Sequence, residues 1–101
     1  MKTFEELRQD ILFWANERNL LHSENANRQF MKFIEETGEL SQAILKNEKD
    51  NITDAFGDVF VTLIVLAEQL NYHPVRCLSF ALNEIKDREG ETIDGVFVKK
   101  E

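Results

Sequence analysis

Residues 52–70, ITDAFGDVFVTLIVLAEQL, constrain this chain more than any other stretch. At about 100° per residue, Phe56, Val59, Phe60, Leu63, Ile64, Leu66, Ala67 and Leu70 cover most of a helix circumference. A helix that is apolar nearly all round is packed nearly all round. Asp54 and Asp58 nevertheless open it, four residues apart on a stripe that Val61 and Val65 continue. Carboxylates held there are partly desolvated and repel one another, and both effects raise their pKa. The longest nearly unbroken apolar run, Val59 to Ala67, falls short of the roughly 18 residues a membrane span needs. The packing surface is therefore protein, and no membrane role is expected.

The remaining periodicities are helical. Thr3 and Glu6 make a capping-box signature, and Phe4, Leu7, Ile11, Trp14 and Ala15 then recur at helical spacing until RNLLHSEN. A second helix is expected from about Asn25 to Leu45, with Phe30, Phe33, Ile34, Thr37, Leu40, Ser41 and Ile44 on one side. KNEKDN then links to the third helix, Ile52–Leu70. NYHP ends that one, and Pro74 suits the first position of a fourth, expected to run to about Arg88. EGETIDGVFVKKE reads as a short tail, irregular or folded back as a small hairpin arm. Short links favour antiparallel neighbours, so the expected fold is all-α: a four-helix bundle with a short irregular C-terminal tail. At 101 residues it forms one domain, 1–101, by the usual size prior.

With 19 acidic against 12 basic residues the net charge is -7. That disfavours a nucleic-acid polymer, which needs a basic footprint. A small phosphorylated ligand remains compatible, because a divalent cation can bridge acidic protein and acidic substrate. The single cysteine, Cys77, forms no intramolecular disulfide, and no Cys/His spacing resembles a zinc site. Met1 leads into KTFEEL with no apolar signal segment, so a cytoplasmic location is expected.

Glu35, Glu36 and Glu39 occupy one arc of the second helix, opposite the Phe30/Ile34/Ser41 side. By itself such an arc suits a solvated surface. If the second and third helices pair antiparallel, however, Glu36 and Glu39 approach Asp54 and Asp58, and Gly57 leaves room beside them. The plainer reading has Asp54 capping the helix and Asp58 facing water. The convergent reading is two halves of a magnesium clamp, suited to hydrolysis of a nucleotide phosphoanhydride. A di-iron carboxylate centre would want Glu-x-x-His, and neither His22 nor His73 has a glutamate three residues before it.

EETGE at 35–39, followed after a spacer by DAFGD at 54–58 and VFVTLIVLA, resembles the E-E-x-x-E…E-x-x-D pattern of the MazG-like all-α nucleoside triphosphate pyrophosphohydrolases, particularly small phage-type members. The resemblance extends from WANERNL to EIKDREG…DGVFVK. It implies a MazG-like bundle that works as a homodimer or homotetramer. The implied activity is Mg²⁺-dependent hydrolysis of (deoxy)nucleoside triphosphates to monophosphate and pyrophosphate, with Mn²⁺ as a substitute metal and nucleotide-pool housekeeping as a role. By motif match, Glu36, Glu39 and Asp58 are metal ligands and Glu35 a ligand or the base for the attacking water. Asn83, Lys86 and Arg88 are implied phosphate binders, against a reading as a solvated helix end. The glutamate of E-x-x-D falls on Ala55, and Asp54, about 100° away round the helix, stands in as metal ligand. The alternative is a non-catalytic helical nucleotide-binding or scaffold protein, its metal site degraded at Ala55.

Trp14 and Arg18 lie one turn apart with Asn16 between them. They suit stacking on a base while Asn16 reads its edge. Trp14 equally continues the Phe4/Leu7/Ile11 stripe, where it would be plain core.

Overall fold

The structure is a computed structural model and describes residues 1–101. Four α-helices, α1 (Phe4–Glu17), α2 (Ala26–Lys46), α3 (Lys49–Gln69) and α4 (Pro74–Ile85), are followed by strands β1 (Gly90–Ile93) and β2 (Val96–Lys99). A single 3₁₀ turn, Ser23–Asn25, leads into α2. No helix is long and apolar enough to cross a membrane.

The helix ends follow from local chemistry. Thr3 Oγ1 accepts from the Glu6 amide at 3.1 Å, and Glu6 Oε1 accepts from the Thr3 amide at 2.9 Å, closing the capping box on α1. The first three helices all stop the same way. Asn19, Asn47 and Asn71 take left-handed conformations, with φ of 60°, 54° and 66°, which asparagine tolerates better than most residues. The amide after each bonds back to the carbonyl five residues earlier: Leu20 to Ala15 at 3.0 Å, Glu48 to Ala43 at 3.3 Å, and Tyr72 to Ala67 at 2.8 Å. These are Schellman motifs. Because Asn47 turns so tightly, only Asn47 and Glu48 separate α2 from α3, and α3 begins at Lys49 rather than at Ile52.

α2 and α3 form the most extensively packed pair, and α1 packs on α3. The surfaces by which α2 and α3 meet repeat at alternating steps of four and three: Gln29, Phe33, Glu36, Leu40 and Ala43 against Ala55, Val59, Thr62, Leu66 and Gln69. All ten are buried or half-buried. This is the spacing of a left-handed antiparallel seam. Gln29 Nε2 donates to the Thr62 carbonyl at 3.1 Å across it. Gln69 Nε2 donates to the Leu20 carbonyl at 2.8 Å, tying α3 to the segment after α1.

One residue further round, each helix carries a second stripe: Phe30, Ile34, Thr37, Ser41 and Ile44 on α2, and Phe56, Phe60, Leu63, Ala67 and Leu70 on α3. Stepping forward by one residue turns two antiparallel helices toward the same side of their pair, so the stripes form one continuous apolar face. The chain leaves it bare: Phe30 is 49% exposed, Phe60 52% and Leu70 50%. The apolar side of α2 expected to face inward thus faces out, while Glu36, on the acidic arc, lies in the seam. Phe56, Phe60, Leu63 and Leu70 of α3 are likewise large, apolar and exposed.

A single chain does not close a four-helix bundle. α4 makes few packing contacts with the other helices, and every residue from Val75 to Ile85 is exposed. Its start is tied to α1 through His73, whose Nδ1 accepts from the Val75 amide at 3.1 Å while Nε2 lies 3.4 Å from Glu5. The helix ends at Ile85, short of Arg88. The C-terminal tail is not irregular: β1 and β2 pair antiparallel with Ile93 opposite Val96. Asp94 and Gly95, at φ 51° and 80°, form a two-residue turn of the type that suits strand twist.

Candidate active site

One residue back from the seam, on the side opposite the bare face, α2 carries Glu35, Glu39 and Gln42, and α3 carries Asp54, Asp58, Val61 and Val65. Glu35, Glu39 and Gln42 on one side and Asp54 and Asp58 on the other wall an open groove of about 740 Å³ with Ala43 and Ala55 at its floor; Val61 and Val65 continue their row beyond it. Gly38, Lys46, Glu48 and Asn51 complete the lining. Lys46 is the one cation among these residues.

Glu36 sits at the buried edge of this cluster, 7% exposed. Its Oε1 lies 3.3 Å from Lys32 Nζ, while Oε2 is buried without a hydrogen-bond partner. Lys32 also reaches Glu35, at 3.7 Å. The Glu36 carboxyl, adjoining Glu39 on the same helix, is the main reason that the pKa of Glu39 is raised, with Asp58 adding a smaller push. Burial raises that of Asp58, and the charges of Asp54 and Glu36 add to it. Lys32 opposes both shifts and is itself held more firmly protonated by Glu36. The carboxylates from the two helices thus feel one another across the pair. No group of three or more His, Cys, Asp or Glu side chains stands close enough together to hold a metal ion. What the arrangement offers is an all-oxygen donor set of net negative charge, one oxygen of which is desolvated and unpaired. That donor chemistry fits a hard divalent cation.

A smaller crevice of about 450 Å³ adjoins the groove at Asp58 and is lined also by Leu7, Asp10, Ile11, Trp14 and Val61. Trp14 is 44% exposed there. The Arg18 guanidinium lies 4.6 Å from the centre of its ring, and Arg18 Nη1 donates to the Trp14 carbonyl at 3.0 Å. Arg18 therefore stacks on the tryptophan itself.

The MazG nucleotide pyrophosphohydrolase domain matches residues 23–88, a stretch that contains both rows of carboxylates. The chain belongs to that family. It is also 41% identical over 69 residues to an uncharacterized 18.2 kDa protein from the rep-hol intergenic region of Haemophilus phage HP1. The match covers 68% of this chain and 42% of the phage protein, so the chain spans less than half of that relative's length. No solved structure matches the chain.

The fold brings together Glu35, Glu39, Asp54 and Asp58 as groove walls, with Glu36 buried beside them. Ala55, where the motif resemblance expects a glutamate, lies in the seam near Ala43 and is 7% exposed, whereas Asp54 is on the groove wall. Gly57 is not part of the lining; Gly38 is. A Cβ at either glycine would meet open space, so neither is needed to make room. Asn83, Lys86 and Arg88 are exposed, on α4 or just beyond it, and within one chain they do not line the groove. Asn16 is exposed and lines neither the groove nor the Trp14 crevice. Sequence reasoning passed over Lys32 and Asp10. Lys32 was legible from its four-residue offset to Glu36; Asp10 lies next to Asp58 only once α1 is docked on α3.

Proposed function

We propose that this domain, residues 1–101, hydrolyses (deoxy)nucleoside triphosphates to monophosphate and pyrophosphate with Mg²⁺, or Mn²⁺ in its place, as a cytoplasmic nucleotide-pool enzyme. The observation that carries this reading is Glu36: a carboxylate buried between two helices with one oxygen unpaired. Leaving such a group unsatisfied is costly, and a cation at the groove edge relieves that cost together with the repulsion that raises Glu39 and Asp58.

In this reading Glu36, Glu39 and Asp58 hold the ion. Asp54 takes the place of the glutamate that Ala55 lacks, and exposed side chains such as Asp54 and Glu39 rotate to complete the set. The bound ion would supply charge neutralisation at phosphoryl oxygens. Glu35, exposed at the groove wall, accepts a proton from the attacking water, whose oxygen adds to phosphorus as the phosphoanhydride bond breaks and pyrophosphate leaves. Lys46 faces phosphate oxygens from within the groove. Asn83, Lys86 and Arg88 would reach phosphates only from another chain or after α4 moves. The Trp14 crevice takes the base, with Arg18 bracing the indole from its stacked position and Asn16 reading the base edge after a change of rotamer.

Pyrophosphate release from a panel of nucleoside triphosphates with Mg²⁺ tests the reading. Turnover by the unaltered chain and none by Glu39→Ala, with the fold retained, is the expected outcome; full turnover by the variant defeats the assignment. Ala55 and the lack of an assembled three-carboxylate cluster favour a second reading, a nucleotide-binding or scaffold protein without turnover. Calorimetric binding of Mg²⁺ and nucleotide in the absence of any pyrophosphate release would select it.

A further inference from the structure

We propose that Asp10 is the side chain by which this chain chooses its base: it selects a base edge that presents two adjacent N–H donors, as guanine does. The inference rests on the Trp14 crevice as the seat of the base and adds the substrate class to that reading. The crevice, about 450 Å³, is lined by Leu7, Asp10, Ile11 and Trp14 of α1 and by Asp58 and Val61 of α3. Asp58 also lines the acidic groove, so the sugar and phosphates leave the crevice past it. Asp10 is then the one carboxylate left to meet the base. Asn16 lies outside this lining.

Spacing along α1 sets the carboxylate at the rim of a stacked base. Leu7, Asp10, Ile11 and Trp14 recur at steps of three and four and share one stripe. Asp10 stands one turn from Trp14, about 6 Å along the axis. Arg18 covers one face of the indole, which leaves the other for a base. Leu7, Ile11 and Val61 offer that base no side-chain hydrogen bond, so discrimination falls to the polar rim. A carboxylate accepts through two oxygens side by side. Guanine sets a ring N–H beside an amino group, a fork that gives a carboxylate two parallel bonds. Adenine and cytosine set an amino group beside an accepting ring nitrogen, and uracil holds its ring N–H between two carbonyl oxygens. Each of those turns an acceptor toward Asp10. Lys2 donates to Asp10 Oδ2, but both side chains are more than half exposed, and such a pair is weak enough to open for a base.

Trp14 is the only tryptophan, so its fluorescence reports on the crevice, and the proposed reaction does not consume nucleoside monophosphates. With Mg²⁺ present, GMP is expected to quench with a Kd about tenfold below that of UMP or of IMP, which lacks only the guanine amino group. Asp10→Asn should bring GMP to the affinity of IMP with helicity retained. Lys2→Gln, which frees the carboxylate, should keep the preference. Equal affinity of the unaltered chain for GMP and IMP overturns the proposal, as does a GMP preference that survives Asp10→Asn. Turnover is a separate readout. GMP selectivity that depends on Asp10, in a chain that releases no pyrophosphate, upholds the proposal and defeats the enzymatic reading. A crevice that no monophosphate quenches removes the base site and the proposal with it, whatever the turnover.

Discussion

The two sides of the α2/α3 pair invert the usual order of burial. On one side Glu35, Glu39, Asp54 and Asp58 crowd a groove, and Glu36 beside them is covered; on the other, Phe30, Ile34, Phe60 and Leu63 lie open. Covered positions in the chain include Glu36, Thr62 and Gln69, while the buried apolar residues are small or medium: Ala15, Ala43, Ala55, Ile64 and Val65. Burial inside one chain is therefore a poor guide to where its hydrophobic stabilisation lies. The seam buries Glu36, Thr62 and Gln69 beside small apolar residues, and the large apolar side chains that would normally hold a domain together face outward. Either side can be altered without touching the other, which makes the contrast testable.

The largest effect is expected from Glu36→Gln. Removing the charge of the buried carboxylate is expected to lower kcat/KM by roughly 10³-fold, the scale of losing a principal electrostatic contact to a reacting group. In the absence of divalent cations the same change should raise stability by about 1–2 kcal/mol, because a buried carboxylate with one oxygen unsatisfied, held only by the half-exposed Lys32, is replaced by a neutral group. Urea unfolding checks the second half. A variant that unfolds more easily would show that the pair with Lys32 is structural, and the acidic side would lose its functional claim.

Next is Phe60→Ala, on the opposite side. If a second copy covers the ring, truncation should cost about 3–4 kcal/mol. In a chain that leaves Phe60 half exposed the loss should stay under about 1 kcal/mol. Activity per folded chain should hardly change, since the ring lies away from the groove. Equilibrium unfolding at two protein concentrations separates the cases.

Smaller again is the response to Mg²⁺ alone. A ligand of the native state raises stability by about 2.7 kcal/mol at a hundredfold excess over its Kd. The unaltered chain should gain on this scale, Glu39→Gln should gain less, and Phe60→Ala should keep the full increment. Equal gains for all three would mean that the ion acts nonspecifically on a chain of net charge -7.

Much of this organisation was legible in the sequence. Helical spacing gave the four helices, Pro74 the start of α4, and the offset within DAFGD the shared stripe of Asp54 and Asp58; in EETGE the reading paired Glu36 with Glu39, whereas the groove wall carries Glu35 and Glu39 and Glu36 is buried beside it. The register between faces was not. Periodicity reports which residues share a stripe, and it put Phe30 and Ile34 on the inside because apolar stripes usually face the chain's own core. That rule fails here, because the chain's own elements leave those residues bare. The helix stops were visible in principle, since Asn19, Asn47 and Asn71 each stand where a left-handed residue is needed, but asparagine is also common in ordinary loops. The tail was read as either irregular or a small hairpin arm, and the Asp94-Gly95 turn between β-branched and aromatic residues could have chosen the hairpin, although the strands it joins are only four residues each. Ala55 shows the limit of motif matching: the pattern marks an absent glutamate, but only the packed seam shows that its neighbour Asp54 lies on the groove wall.

The smallest expected effect is on the pH dependence of stability, where the acidic groove and the start of α1 act with opposite signs. Glu39 and Asp58 have folded pKa values raised above their ordinary 4.5 and 3.8, so the folded chain holds more protons than the unfolded one between those values and the raised ones. Their contribution is favourable at low pH and is lost as pH rises through the raised values. Glu5 runs the other way. Bonds from the Arg8 guanidinium, at 2.9 and 2.8 Å, hold it down to about 2, and Glu6 is lowered by the Thr3 amide. The stability these two provide is present above the ordinary value of 4.5 and lost as pH falls toward 2. Without divalent cations, the melting temperature should therefore climb as pH drops from neutrality toward the carboxylate range, then fall below it. Glu39→Gln should flatten the upper limb and spare the lower; Arg8→Gln should do the reverse. Mg²⁺ should flatten the upper limb as the Glu39 change does, since a cation in the groove removes the same repulsion that protons remove. A profile indifferent to Mg²⁺ on that limb would separate the repulsion among these carboxylates from metal binding, and with it the physical reason for burying Glu36.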